Sequence, residues 1–271
     1  MTAATATELW RMSATELAKA IRTRQASSAE VVEAHLRRIE AVNPAINAVV
    51  IVLGEQALQA AEAADRAVAA GAGLPPFHGV PFTIKDIIDV AGTPTTQGFK
   101  ALAQAYPSRD APIVERMRAA GAIPLGRTNL PSGAVRWHTD SELWGATVNP
   151  WDRTRTPGAS SAGEAAAIAT GMSPLGLGSD GLGSLCHPAQ CCGIAALKPT
   201  LGRIPHATAI EPEYAAIGMQ LTGVAARWRG GSPTWGRPSR CWPGPPGAIP
   251  GRCRRRCSGR SPRGPSGWRL W

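Results

Sequence analysis

From Arg227 to Trp271 the chain contains no aspartate, glutamate or lysine. Eleven arginines carry the charge of that stretch, and the preceding residues, with 18 basic and 19 acidic side chains, come to −1. The formal net charge of +10 therefore does not describe a basic surface on the body of the protein. Neither a nucleic acid nor a membrane surface is expected as a partner on that ground. The chain also lacks any uninterrupted apolar run of roughly 18 residues, which excludes a membrane-spanning helix. Its opening carries Glu8, Arg11, Glu16 and Lys19 and no continuous apolar run, so a secretory signal is not expected. Cys186, Cys191 and Cys192 have no distant cysteine partners before the arginine-rich stretch, which points to reduced thiols and a cytoplasmic location. His78, His138, His187 and His206 show no i, i+4 pair and no cysteine cluster at ligand spacing, so no metal is expected.

The arginine-rich stretch holds five of the nine tryptophans and Cys241, Cys253 and Cys257, amid repeated Gly, Pro and Ser. It has neither helical nor strand periodicity. One reading is a disordered basic arm whose tryptophans stack on bases. A second is a cysteine-ligated metal at "CRRRC", which has no second Cys or His pair at ligand spacing. The third is a shifted reading frame. Arginine to the exclusion of lysine, together with Gly, Pro, Trp and Cys, is what GC-rich DNA yields out of frame. Written in GC-rich codons and moved by one base, "PTWGRPSRCWPG" can become an ordinary amphipathic helix pattern. The composition favours this third reading.

Before that stretch the chain reads as an orderly α/β protein. "SATELAKAIRTRQ" offers Ser13 or Thr15 as a helix cap, with Leu17, Ala20 and Ile21 on one apolar stripe. "SSAEVVEAHLRRIEAVNP" repeats the device from Ser27 or Ser28, with Glu30 in the first turn, and is expected to stop before Pro44. A third helix runs through "GEQALQAAEAADRAVAAGAG". These helices read as scaffold. Val80, Phe82 and Ile84 then suggest a short buried strand, followed by a helix over 111–120, a turn at Gly121 and a strand from Ile123 to Leu125. Another helix begins near Glu164. Trp137, Trp144 and Trp151 recur every seven residues, but Gly145 and Pro150 argue against a helix there.

The strand at 80–84 delivers Lys85 beside Asp86 and Asp89. Two readings stand: a surface lysine paired with one of these carboxylates, or a buried amine made able to exchange a proton near neutral pH by desolvation. Further on, Ser160 and Ser184 sit in runs of small residues 24 positions apart, separated by a short apolar helix. "GLGSDGLGS" lacks the Lys-Ser/Thr ending of a phosphate-binding loop, so no nucleotide and no other cofactor is expected.

"GVPFTIKD", "GASSAGEAAAIA", "PLGLGSDGLGS" and "CGIAALKPTLGRIP" together resemble the amidase signature family, in order and in spacing, over residues 8 to 224. The resemblance implies an α/β fold, a mixed sheet flanked by helices, here incomplete and followed by a disordered or irregular tail. It implies hydrolysis of a small-molecule amide through an acyl-enzyme, with Ser184 as nucleophile, Ser160 as a bridging serine on a cis peptide bond and Lys85 as base. Backbone amides of Gly181, Leu182 and Gly183 would form the oxyanion hole, with Ser161 beside them in the binding loop. Three segments follow: 1–72 as the helical scaffold of the amidase domain, 73–224 as the signature core, and 225–271 as the out-of-frame tail. A homodimer is left open.

The chain departs from the family pattern in places. Leu182 stands where a glycine is expected and Cys186 where an arginine is, so a distorted oxyanion hole and an unpartnered Asp180 are expected. Ser132 and Gly133 replace an acidic and an apolar residue. Three functions remain in view: an amide hydrolase, the glutamine-hydrolysing component of an amidotransferase, and a non-catalytic remnant. The frame-shift reading predicts that the coding DNA near codons 223 to 228 carries an inserted or deleted base. Sequencing of that region, read in all three frames, checks it.

Overall fold

A computed structural model describes residues 9–210 and 222–229. Of the stretch 225–271 read as an irregular, out-of-frame tail without strand periodicity, the residues up to Arg229 instead form a strand paired on both sides in the main sheet; the rest lies outside the described residues.

Two capped helices open the fold. Helix α1 (Ala14–Arg22) starts at Ser13, whose hydroxyl accepts from the Glu16 amide while the Glu16 carboxylate accepts from the Ser13 amide. Helix α2 (Ser28–Ile46) repeats this box with Ser27 and Glu30. Such reciprocal caps satisfy amide groups that the first helical turn leaves without partners. Helix α2 runs through Pro44 instead of stopping before it. The proline lies in the last turn, where its fixed φ suits a helix and a single N–H bond is forgone. Asn47, in the left-handed conformation at φ 54°, ends the helix. The Asn43 side chain accepts from the Ala48 and Val49 amides and so starts strand β1 (Val49–Val52), inside a segment read from sequence as helical. Helix α3 (Gly54–Ala69) follows.

The remaining strands are β2 (Pro81–Lys85), β3 (Ile123–Thr128), β4 (Asp140–Ser141), β5 (Gly145–Ala146), β6 (Leu175–Asp180), β7 (Ala195–Ala196) and β8 (Val224–Arg229). Helices α4 (Pro112–Ala119), α5 (Ala162–Ala169) and α6 (Cys186–Cys192) lie between them. The main sheet has the order β1-β3-β2-β6-β8-β7. Strand β2 runs parallel to β3 and β6, whereas β1 and β8 are antiparallel to their neighbours, so the sheet is mixed. Every residue of β2 is buried, as expected of a central strand covered on both faces.

Strand alternation splits the core in two. Phe82 and Ile84 pack with Leu17 and Ile21 of α1 and with Val114 and Met117 of α4. On the other side, Ile123 and Leu125 of β3 pack with Val32 and Ile39 of α2 and with the alanines of α5. Helix α5 owes its small residues to close approach. A Cβ on Gly163 would stand 2.4 Å from the Asn129 carbonyl oxygen and 2.5 Å from its nitrogen. The helix therefore rests directly on the backbone leaving β3, and this fixes its N-terminal end against the sheet. Among the described residues no helix is long and apolar enough to cross a membrane.

Gly163→Ala should destabilise the fold by about 1–3 kcal/mol or more through overpacking. Gly73→Ala, where an added Cβ meets nothing within 4 Å, should change little. Thermal unfolding of the two variants side by side measures the difference.

Candidate active site

Lys85 ends β2 and is completely buried. Its amine lies 2.6 Å from Ser160 Oγ and 3.0 Å from Ser179 Oγ. Ser160 Oγ lies in turn 3.0 Å from Ser184 Oγ. The peptide bond between Ala159 and Ser160 is cis. Lysine, serine and serine thus form one continuous chain of polar contacts. Loss of hydration pushes the Lys85 amine down from its ordinary value to about 7, against the pull of Asp180 and Glu164.

The surface-lysine reading fails because Lys85 is fully buried and pairs with neither neighbouring carboxylate. Asp86 pairs with Arg127 at 3.2 Å, both side chains fully buried, and accepts from Thr96 and the Trp144 indole. Asp89 accepts from the Thr208 hydroxyl and the Ala209 amide. Arg127 also donates to Thr93 and to the carbonyls of Ile88 and Pro94, and so pins the loop after β2. A single buried arginine carries no sequence periodicity that would have singled it out.

Asp180, at the end of β6, organises the nucleophile loop. Its carboxylate accepts from the amides of Gly183 at 2.8 Å and Leu185 at 2.7 Å. Ser184 lies between these two residues, so the carboxylate grips the turn on both sides of it. Asp180 is not left without a cationic partner: Lys198 reaches it at 2.7 Å. Burial opposes ionisation, but bonds from Lys198, Leu185 and Gly183 hold the Asp180 carboxyl below its usual range. Lys198 falls within the quoted "ALKPT", yet only the three-dimensional arrangement assigns it to Asp180.

Leu182 does not distort the turn as expected. The positive φ, 103°, belongs to Gly183, and Leu182 is outside the left-handed region, so a side chain is admissible there. The Gly183 amide, however, is committed to Asp180. Gly181, Leu182, Ser184 and Ser160 line a cavity of about 840 Å³. Ser161 does not line it; its hydroxyl donates to the Ser179 carbonyl at 3.1 Å, which ties the start of α5 to β6. Trp137 lines the cavity, and its ring lies 3.4 Å from where a Cβ of Gly183 would be. The residues placed together are therefore Lys85, Ser160, Ser184, Gly181 and Leu182, with Asp180 beneath the loop and Ser179 and Lys198 as unforeseen neighbours.

Lys198→Met should loosen the Asp180 grip. Amide hydrogen exchange at Gly183 and Leu185 should rise about tenfold, the factor carried by roughly 1.4 kcal/mol of lost hydrogen-bond strength. Exchange measured residue by residue tests this.

The family model described as Amidase matches residues 30–228. An indoleacetamide hydrolase of Bradyrhizobium diazoefficiens is 46% identical over 223 residues, 81% of this chain and 42% of that protein. An acylamidase of Rhodococcus erythropolis is 45% identical over 72% of this chain and 41% of its own length. A glutamyl-tRNA(Gln) amidotransferase component of Acidothermus cellulolyticus is 45% identical over 73% of this chain and 39% of its own length. Among solved structures, 6-aminohexanoate cyclic dimer hydrolase complexed with substrate superposes with a TM-score of 0.73 at 35% identity, covering 82% of this chain and 44% of that one. The chain thus spans less than half the length of these relatives. Because the family match takes in well over half of the residues, and 46% identity extends across 81% of them, the chain belongs to the amidase family.

Proposed function

We propose that this chain carries the catalytic centre of an amide hydrolase acting on a small-molecule carboxamide. The observation that carries the reading is the run of contacts from Lys85 Nζ to Ser160 Oγ at 2.6 Å and on to Ser184 Oγ at 3.0 Å, opening on the cavity wall. A serine hydroxyl is a weak nucleophile until a base takes its proton. An amine near 7 supplies that base at neutral pH.

The neutral amine accepts the Ser160 proton as Ser160 accepts that of Ser184. Hydroxyl rotors allow both hydrogen bonds to run in this direction. Ser184 Oγ bonds to the carbonyl carbon, and the carbonyl π pair moves to oxygen. The Gly181 and Leu182 amides remain as donors for that oxygen on the cavity wall, because the Gly183 amide is already bound to Asp180. Collapse breaks the C–N bond, and the departing amine takes the proton back from Lys85 through Ser160. Water then attacks the acyl-enzyme by the same relay. No cofactor is needed for these steps.

The apolar lining, with Val135, Trp137, Leu182 and Leu201 all exposed to the cavity, favours an amide with an apolar acyl group. The 46% identity to an indoleacetamide hydrolase supports the same choice. The 45% identity to a glutamyl-tRNA(Gln) amidotransferase component favours glutamine as the second reading. For either substrate, the free thiols of Cys186, Cys191 and Cys192 support a cytoplasmic setting.

A fluorophosphonate probe should label Ser184, and Ser184→Ala should abolish the label. The rate should climb as pH rises through about 7, because the amine must lose its proton to act as base. Lys85→Ala and Ser160→Ala should each slow labelling by about 10²–10⁴-fold. Absence of labelling in folded wild-type protein would leave the chain as a non-catalytic remnant. Product analysis with indole-3-acetamide and with glutamine separates the two substrate readings.

A further inference from the structure

A carboxylate sits on the same face of the sheet as the lysine amine. Glu164, in the first turn of α5, is completely buried. Its two oxygens accept from separate strands: Oε1 from the Thr83 hydroxyl of β2, and Oε2 from the Thr128 hydroxyl of β3 at 2.7 Å. Thr83 lies two residues before Lys85, on the same face. Thr128 is the cross-strand partner of Lys85. A third strand contributes by omission. Gly176 of β6 pairs with Thr83, and a Cβ there would stand 1.9 Å from Glu164 Oε1. Two threonines and a glycine on three adjacent strands thus form a cradle for one carboxylate on the sheet face that carries the amine.

We propose that Glu164 is a positioning residue for Lys85: its carboxylate, held by Thr83 and Thr128, supplies the countercharge to the lysinium formed when the amine takes the serine proton. The inference rests on the hydrolase reading and deepens it. The proton that leaves Ser184 through Ser160 ends on Lys85 Nζ and returns to the leaving amine, while Glu164 keeps its own bonds to the threonines throughout. The other carboxyl group facing the amine is Asp180, at the end of β6, and Asp180 is already paired with Lys198. Glu164 has no such competing cation among the described residues. Burial pushes Glu164 up to about 8 against its threonine bonds and the charge of Lys85, so the carboxylate is fully formed only above that pH and its countercharge acts on the alkaline side of the profile.

The test is Glu164→Gln in the full chain, which keeps the shape and removes the charge. Two readouts are needed: the pH dependence of Ser184 labelling, and the titration of Lys85 followed by ¹³C NMR, made tractable by a chain with only four lysines. Loss of the neighbouring negative charge should move the Lys85 inflection to lower pH by about one pH unit or more. The weaker base should also slow labelling at high pH. Glu164→Asp, which retains the charge, should return the inflection toward the wild-type position. A folded Glu164→Gln protein with an unmoved inflection in both readouts overturns the proposal and leaves Glu164 a packing residue. If that variant does not fold, Thr128→Val, which removes one donor and weakens the anion, should move the inflection in the same direction; no movement overturns the proposal. Wild-type protein that takes no label while its lysine still responds to Glu164→Gln refutes the hydrolase reading and upholds the coupling.

Discussion

Dehydration of one amine is the constraint around which the centre is arranged. Lys85 is carried to the end of a strand buried on both faces, and the charged form of its amine loses the water that would stabilise it. A lysine in that position is tolerated only if hydrogen-bond partners replace the solvent, and two serine hydroxyls do so. One of them leads to Ser184. The same contacts that make the burial tolerable therefore make the proton route.

Neighbouring carboxylates would undo this if they paired with the amine, because a close anion restores its charge. Each is engaged elsewhere. Asp86 is held by Arg127, Asp180 by Lys198 and two backbone amides, and Glu164 by two threonines. Among the described residues Lys85 forms no ion pair. The field of the carboxylates is felt without any of them becoming a direct partner. Buried charge pairs such as Asp86 and Arg127 add little net stability, but removing one member leaves the other stranded, at a cost of about 3–5 kcal/mol.

Two departures from the family pattern leave the nucleophile loop intact. Cys186 does not leave Asp180 bare, because Lys198 comes to the same carboxylate from the segment beyond α6. Leu182 does not break the turn, because the left-handed residue is the next one, Gly183. What Leu182 changes is the surface: its side chain is 74% exposed in a cavity that Trp137 also lines, which makes the mouth of the site more apolar.

Capping boxes, the apolar run of β2, the helix of α4 and the small-residue loops around both serines were all legible in the residues, because each depends on contacts within a few positions of the chain. Strand β1 was missed although Val49-Val50-Ile51-Val52 is a β-branched run of the kind that marks a strand. Pro44 misled for a different reason: a local rule about helix ends was overridden at a position where breaking it costs little. Lys85, Ser160 and Ser184 could be named as candidates from their motifs. Their mutual distances could not, nor could the commitment of the Gly183 amide to Asp180, the withdrawal of Ser161 from the cavity, the arrival of Lys198 or the cradle around Glu164. Residue type and spacing along the chain record which groups are available for chemistry. Which groups meet, and which are already bound to something else, depends on contacts such as that between Asp89 and Ala209, 120 positions apart, and those exist only once the sheet has closed.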